Sequence, residues 1–224
     1  HVANLAEQAA QRIGANTMLV RVGALFHDIG KTRHPEYFVE NQIKGMNPHD
    51  NLSPDASARI IIDHVNDGHE MAGRHRLPSV IRAAILEHHG TTVTIYQYEK
   101  AVEEMGKAEV EIDDFTYPGP KPQSWETALL MLADGCEAKA RSDKPTATDE
   151  IDEIVRYIIN RRLRQGQLDE CNLSLTDLDK VRGSFVNTLT GFFHSRLQYP
   201  KSPTEESTVH NMGTPEPRSL PASE

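Results

Sequence analysis

Leu5, Ala6, Ala9, Ala10 and Ile13 recur at spacings of three and four residues, which predicts an amphipathic helix over residues 2–14, ended by Gly14. Asn16 can cap a second helix whose apolar positions are Met18, Leu19, Val22, Leu25 and Phe26. From residue 32 to 53 polar positions take over, and Pro35, Gly45 and Pro48 interrupt any period, so this stretch reads as a long loop with short turns. Loops of that length are uncommon in compact domains and often functional. Ser53-Pro54-Asp55 opens a third helix with Pro54 in its first turn. Ile60, Ile61, His64 and Met71 continue its apolar face to about Gly73. Pro78 starts a fourth, in which Ile81, Ala84, Ile85 and His88 share one face at i, i+3, i+4 and i+7 before Gly90 ends it. His88 therefore points to the core, while His89 is rotated by about 100° and can reach a neighbouring centre.

Residues 103–124 are first acidic, then rich in Gly and Pro, and predict an exposed connection. Trp125 to Cys136 is helical and apolar through Ala128, Leu129, Met131 and Leu132, with Asp134 as the exception. Thr146, Thr148 and Asp149 are candidate caps for a helix over Ile151–Leu163, and Thr176 for a last one. Leu178, Val181, Phe185, Leu189, Phe192 and Phe193 form the buried stripe of that last helix. Beyond Lys201 the periodicity vanishes into Ser, Thr, Pro and Glu, which predicts a disordered tail over residues 201–224. No alternating β-branched run occurs, so the fold class is all-α, a compact helical bundle over residues 1–200.

Composition narrows the function rather than the fold. The 224 residues carry a formal net charge of −9, which argues against DNA or RNA as partner and against a broadly anionic membrane surface. A small phosphorylated ligand would need only a local cationic pocket. Cys136 and Cys171 form neither a CxxC pair nor a disulfide framework; they read as structural, in a reduced, cytoplasmic setting. No run approaches the ~20 apolar residues of a membrane-spanning helix, and no signal peptide is visible.

The chemistry concentrates where the second helix ends. His27 and Asp28 close the apolar run Leu19–Phe26, then Gly30 breaks the helix and Lys31 follows. Burying such a doublet is costly unless something pairs with it. Taken alone, the pair is best read as hydrogen-bonded to its surroundings; a metal ion is the other partner that suits imidazole and carboxylate together. Two adjacent ligands do not complete a shell, and the chain supplies His64, the pair His88-His89, and Asp134. Asp134 is the clearest anomaly, a carboxylate next to Leu129, Leu130, Met131 and Leu132 whose burial costs several kcal/mol unless a metal or a metal-bound histidine compensates it.

That order of ligands resembles the HD-domain metal-dependent phosphohydrolases. Val2–Glu7, His27–Lys31, Glu40–Gln42, Asn47–Asp50, His88–Thr91, Tyr117–Pro122 and Gly166–Cys171 resemble the cytoplasmic domain of the seven-transmembrane HD family. The resemblance spans residue 2 to Pro200, and implies hydrolysis of cyclic di-AMP to a linear 5′-phosphorylated dinucleotide at two divalent transition-metal ions, Fe or Mn. It implies that Asp28 bridges both ions and a bridging hydroxide. His27 and Asp134 would serve one ion with an upstream histidine, and His64, His88 and His89 the other. In that family the upstream histidine would precede His1, so the domain reads as N-terminally truncated, with His1 one helical turn later on roughly the same face.

The resemblance also makes Asp28 and Lys31 catalytic, and Lys31, Asn41 and Thr91, with Asn47, contacts to substrate. Lys31 reads equally as a solvated lysine, and Tyr96 and Tyr98 as half-buried residues rather than adenine platforms. The family further implies attachment to the cytoplasmic face of a membrane through an upstream segment, with a homo-oligomer open. Three readings compete: an HD phosphohydrolase of nucleotides or cyclic di-GMP, a sensor that binds without cutting, and an HD-type di-iron oxygenase.

Overall fold

The computed structural model describes residues 1–42 and 46–194. Among them are eight α-helices and no β-strand: α1 Val2–Ile13, α2 Thr17–Phe26, α3 Pro54–Arg74, α4 Ser79–Glu87, α5 Ile95–Met105, α6 Trp125–Asp143, α7 Thr148–Arg164 and α8 Leu175–His194. The tail expected over 201–224, and the boundary near residue 200, lie outside the described residues. No described helix is long and apolar enough to cross a membrane.

The main core is where the predicted stripes meet. Leu5, Ala6, Ala9 and Ala10 of α1 pack against α6 and α8, and α7 closes the same core on α6 and α8, through Leu129, Leu132, Ile151, Val155, Val181 and Phe185. Alanine on α1 lets these helices approach closely, so the larger partners fill the space between them. A second, smaller cluster of Ala58, Ala101 and Phe115 joins α3, α5 and the segment before α6. His27 at the end of α2 and His88 at the end of α4 meet His64 and Asp134, which project from the middle of α3 and of α6.

Asn16 caps α2 as expected, its side chain accepting from Leu19 N–H at 3.0 Å. The described residues of the polar stretch 32–53 carry short 3₁₀ turns: the end of Ile29–Arg33, then Pro35–Tyr37, Val39–Asn41 and Pro48–Asn51. Two caps differ from expectation. Helix α8 is capped by Ser174, not Thr176: Ser174 Oγ accepts from Asp177 N–H, and Asp177 Oδ2 accepts from Ser174. Helix α7 begins at Thr148 without a side-chain cap, and Glu150 instead reaches back to the Thr146 N–H at 2.7 Å.

The connection before α6 is the larger departure. Residues 107–109 and 111–114 are exposed, but Phe115 and Tyr117 are buried. An isolated bridge joins Val93 and Thr116, with Thr94 N–H donating to Phe115 C=O and Tyr117 N–H to Thr92 C=O. Single aromatic residues set among acids and prolines carry no period, so their burial is not visible along the chain.

Candidate metal centre

Three histidines are aimed by the same device. Nδ1 of His27 lies 2.8 Å from the Ala24 carbonyl, Nδ1 of His64 2.5 Å from Ile61, and Nδ1 of His88 2.7 Å from Ile85. A carbonyl can only accept, so each Nδ1 carries a proton and each ring turns its Nε2 inward. His64 and His88 thereby bring Nε2 atoms to 3.3 Å of each other, two lone pairs face to face in a buried place. Such a contact is repulsive until a cation or a proton stands between them.

His89 joins them because α4 ends at Glu87. Continued helix would splay consecutive side chains by about 100°. The turn after Glu87 instead brings the His88 and His89 rings to 4.0 Å, and His89 to 5.2 Å from His64. One ligand atom from each of His64, His88 and His89 lies within 4.8 Å of the others, and the same holds for His27, Asp28 and Asp134. Asp28 faces both sets: Oδ2 is 3.1 Å from His27 Nε2, and Oδ1 is 3.3 Å from His64 Nε2 and 3.7 Å from His88 Nε2. Asp134 is half-buried rather than sealed among its leucines; it opens into the cluster with Oδ1 3.7 Å from His27 Nε2. The donor set, imidazole nitrogen plus carboxylate oxygen, suits a first-row divalent ion. His27 Nε2 is buried without a well-directed hydrogen bond, which fits an atom built to face such an ion.

The electrostatics divide the cluster. Burial opposes a charge on His27, but the Asp134 and Asp28 carboxylates beside its ring outweigh it and push His27 up to about 10. Burial would raise Asp28, yet His27, His64 and Lys31 hold it well below the usual carboxylate range. Asp134 is likewise held down against its burial by His27. Burial and the neighbouring imidazoles drive His88 down to about 3, and burial and His88 carry His89 well below an ordinary histidine.

Lys31 sits at the rim, with Nζ 2.8 Å from Asp28 Oδ2 and 2.8 Å from Glu40 Oε1, above the Phe38 ring at 5.1 Å. The structure thus brings together His27, Asp28, Lys31, His64, His88, His89 and Asp134. It does not bring in the others. Asn41 is exposed, Asn47 caps a 3₁₀ turn by accepting from His49 N–H, and Thr91 is engaged by Gln167. His1 stacks edge-on against Phe192 of α8 at 4.4 Å and belongs to neither group. Tyr96 is exposed, and Tyr98 packs on Phe115.

Three residues at the site are missed by reading the chain for ligands. Tyr117, placed in a stretch expected to be exposed, stacks on His89 at 4.3 Å and 24°. Phe38 meets His64 edge-on at 5.7 Å. Gly30 is more than a helix breaker: a Cβ there would collide with the backbone carbonyl of His64 and the amide of Gly68. Its bare backbone lets the His27–Asp28 turn lie directly on α3. The only sequence signal for the aromatics is that they are isolated in otherwise polar loops.

This fold, with paired His/Asp groups at its centre, defines the HD-domain class. A model of the HD domain matches residues 1–139, and the chain belongs to that family. It is 45% identical over 199 residues to the cyclic-di-AMP phosphodiesterase PgpH of Listeria monocytogenes, covering 89% of this chain and 27% of that protein. With the PgpH of Bacillus subtilis the identity is 44% over 201 residues, covering 90% and 28%. The chain thus spans about a quarter of the length of these curated relatives. The solved HD domain of L. monocytogenes PgpH in complex with cyclic-di-AMP superposes with a TM-score of 0.82 at 44% identity, covering 85% of this chain and 88% of that one.

Proposed function

We propose that this chain is the hydrolytic domain of a metal-dependent phosphodiesterase acting on cyclic di-AMP. The observation that carries the reading is Asp28, whose two carboxylate oxygens face separate groups of potential ligands. His64, His88 and His89 would hold one divalent ion and His27 and Asp134 the other, with Asp28 between them; iron and manganese suit these donors. Such ions supply Lewis acidity toward phosphoryl oxygens and a nucleophile from water at neutral pH. The similarity to the HD domain solved with cyclic-di-AMP supports the choice of substrate.

The chain's own residues do the rest. Lys31 is held by Asp28 and Glu40 where a phosphate oxygen could exchange for a carboxylate, placing a fixed positive charge against the negative charge on the non-bridging phosphoryl oxygens. Phe38 and Tyr117 wall the imidazoles and keep bulk water from them. One water oxygen joins phosphorus, one bond from phosphorus to a 3′ oxygen breaks, and that oxygen leaves with a proton. The product is a linear dinucleotide with a 5′ phosphate.

Turnover of cyclic di-AMP with added Mn²⁺ or Fe²⁺, followed by chromatography of the products, tests this. The wild type should yield the linear dinucleotide. Asp28→Ala should lose on the order of 10³-fold in rate while remaining folded. Binding without cleavage at saturating metal would reassign the chain as a nucleotide sensor.

A further inference from the structure

His89 differs from the other three histidines of the cluster. His27, His64 and His88 each tie Nδ1 to a carbonyl of their own helix; no such bond aims the His89 ring. Its direction is left to ring contacts, with Tyr117, His88 and His64, and to the backbone turn it stands on. That turn is held from far along the chain. Gln167, in the loop between α7 and α8, is 2% exposed, and its side-chain amide addresses Thr91 twice. Gln167 Oε1 accepts from the Thr91 N–H at 2.9 Å, and Nε2 donates to Thr91 Oγ1 at 2.9 Å. Between His89 and Thr91 lies Gly90, at φ +54°, where a Cβ would run into Gln167 Oε1 and Met131 Cε. The glutamine therefore fills the space a side chain would need and fixes the left-handed residue that follows the two histidines. A buried amide with both ends occupied is costly to replace, because each partner it leaves would stay unsatisfied. Gln167 also lies beyond the 1–139 stretch that the HD-domain model matches.

We infer that Gln167 is a positioning residue for the His64–His88–His89 metal site, acting through the Gly90–Thr91 backbone to aim His89. It touches neither an imidazole nor substrate; it sets the turn from which His89 projects. The helical pair α7–α8 is thereby part of the metal site and not only a covering for the core. Replacing Gln167 should weaken the imidazole site selectively and leave the His27–Asp28–Asp134 site as it was. The inference rests on the two-ion reading given above.

The experiment is titration of the full chain with Mn²⁺ alone, by calorimetry and electron paramagnetic resonance, without nucleotide. Wild type should take up two ions, with His88→Ala abolishing one and Asp134→Asn the other, which identifies the two binding steps. Gln167→Met keeps the volume and removes both hydrogen bonds; it should weaken the step lost in His88→Ala by about tenfold, within the range known for residues that orient a ligand. The step lost in Asp134→Asn should not move. Thr91→Val keeps the bond from the backbone N–H and should show a smaller loss in the same step, and Thr91→Ser should restore wild-type binding. Thr91→Val also serves if Gln167→Met does not fold. Equal weakening of both steps, or of neither, with wild type binding two ions would overturn the role of Gln167 alone. A wild type that binds no ion would overturn the two-ion reading and this inference with it.

Discussion

The His64–His88–His89 group and the His27–Asp28–Asp134 group lie side by side, yet imidazole alone makes up the first and carboxylate dominates the second. In the first, burial holds His88 down at about 3 and His89 low, and three imidazole nitrogens converge in one buried place. In the second, two carboxylates pull His27 up to about 10, so without an ion the charge is balanced by a proton on the ring and by Lys31. The first site is prepared for a cation by shape, since its lone pairs already face one another. The second is prepared by charge, since a proton occupies the role a cation would take. Asp28 belongs to both, which makes the separation of the two groups a matter of where one turn rests on α3.

Gly30 sets that separation, so giving it a side chain should disturb both groups most. Gly30→Ala should push the His27–Asp28 turn off the His64 carbonyl, at a cost of about 2–3 kcal/mol in stability. Turnover should fall by a hundredfold or more, on the order expected when reacting groups are displaced by about 1 Å. Both ions should bind, each less tightly. Unchanged kinetics in a Gly30→Ala protein would mean that the two groups need not be held at this distance.

A smaller change separates the two sites. His88→Ala and Asp134→Asn should each lower the metal content from two ions to one per chain and reduce turnover by about a hundredfold, measured by elemental analysis and a product assay. Their stabilities should diverge once metal is chelated. His88→Ala leaves a cavity in a fully buried place, whereas Asp134→Asn removes a half-buried charge and should leave the fold intact. Loss of both ions from either variant would show that the groups fill only together.

The smallest effect is a pH dependence confined to the chelated protein. A histidine raised from 6.5 to about 10 contributes stability that is complete below about 6.5 and is lost as pH rises through about 10. The urea midpoint of the metal-free protein should therefore fall between pH 7 and 10. Asp134→Asn should flatten that slope, because it removes one of the two carboxylates whose charge raises His27. A midpoint independent of pH over this range would place the balancing charge elsewhere than on His27.

The helices could be read directly from the chain. Leu5, Ala9 and Ile13, or Val181, Phe185 and Leu189, repeat at the helical period because each helix hides one stripe, and that is a property of the segment itself. The candidate ligands stand out for the opposite reason: His64 and Asp134 interrupt stripes that should be apolar, and an interrupted period is conspicuous. Asn16 was legible as a cap because its partner, Leu19, is three residues away. What the chain by itself did not contain is what each stripe is buried against. The clasp between Thr91 and Gln167 joins residues 76 apart, Gly30 matters only because α3 passes over it, and Phe115 and Tyr117 are buried by neighbours rather than by any period of their own. Local hydrogen bonds and helical spacing are written in one segment. The meeting of the two ligand groups on Asp28, and the glutamine behind His89, exist only once separate segments are packed together.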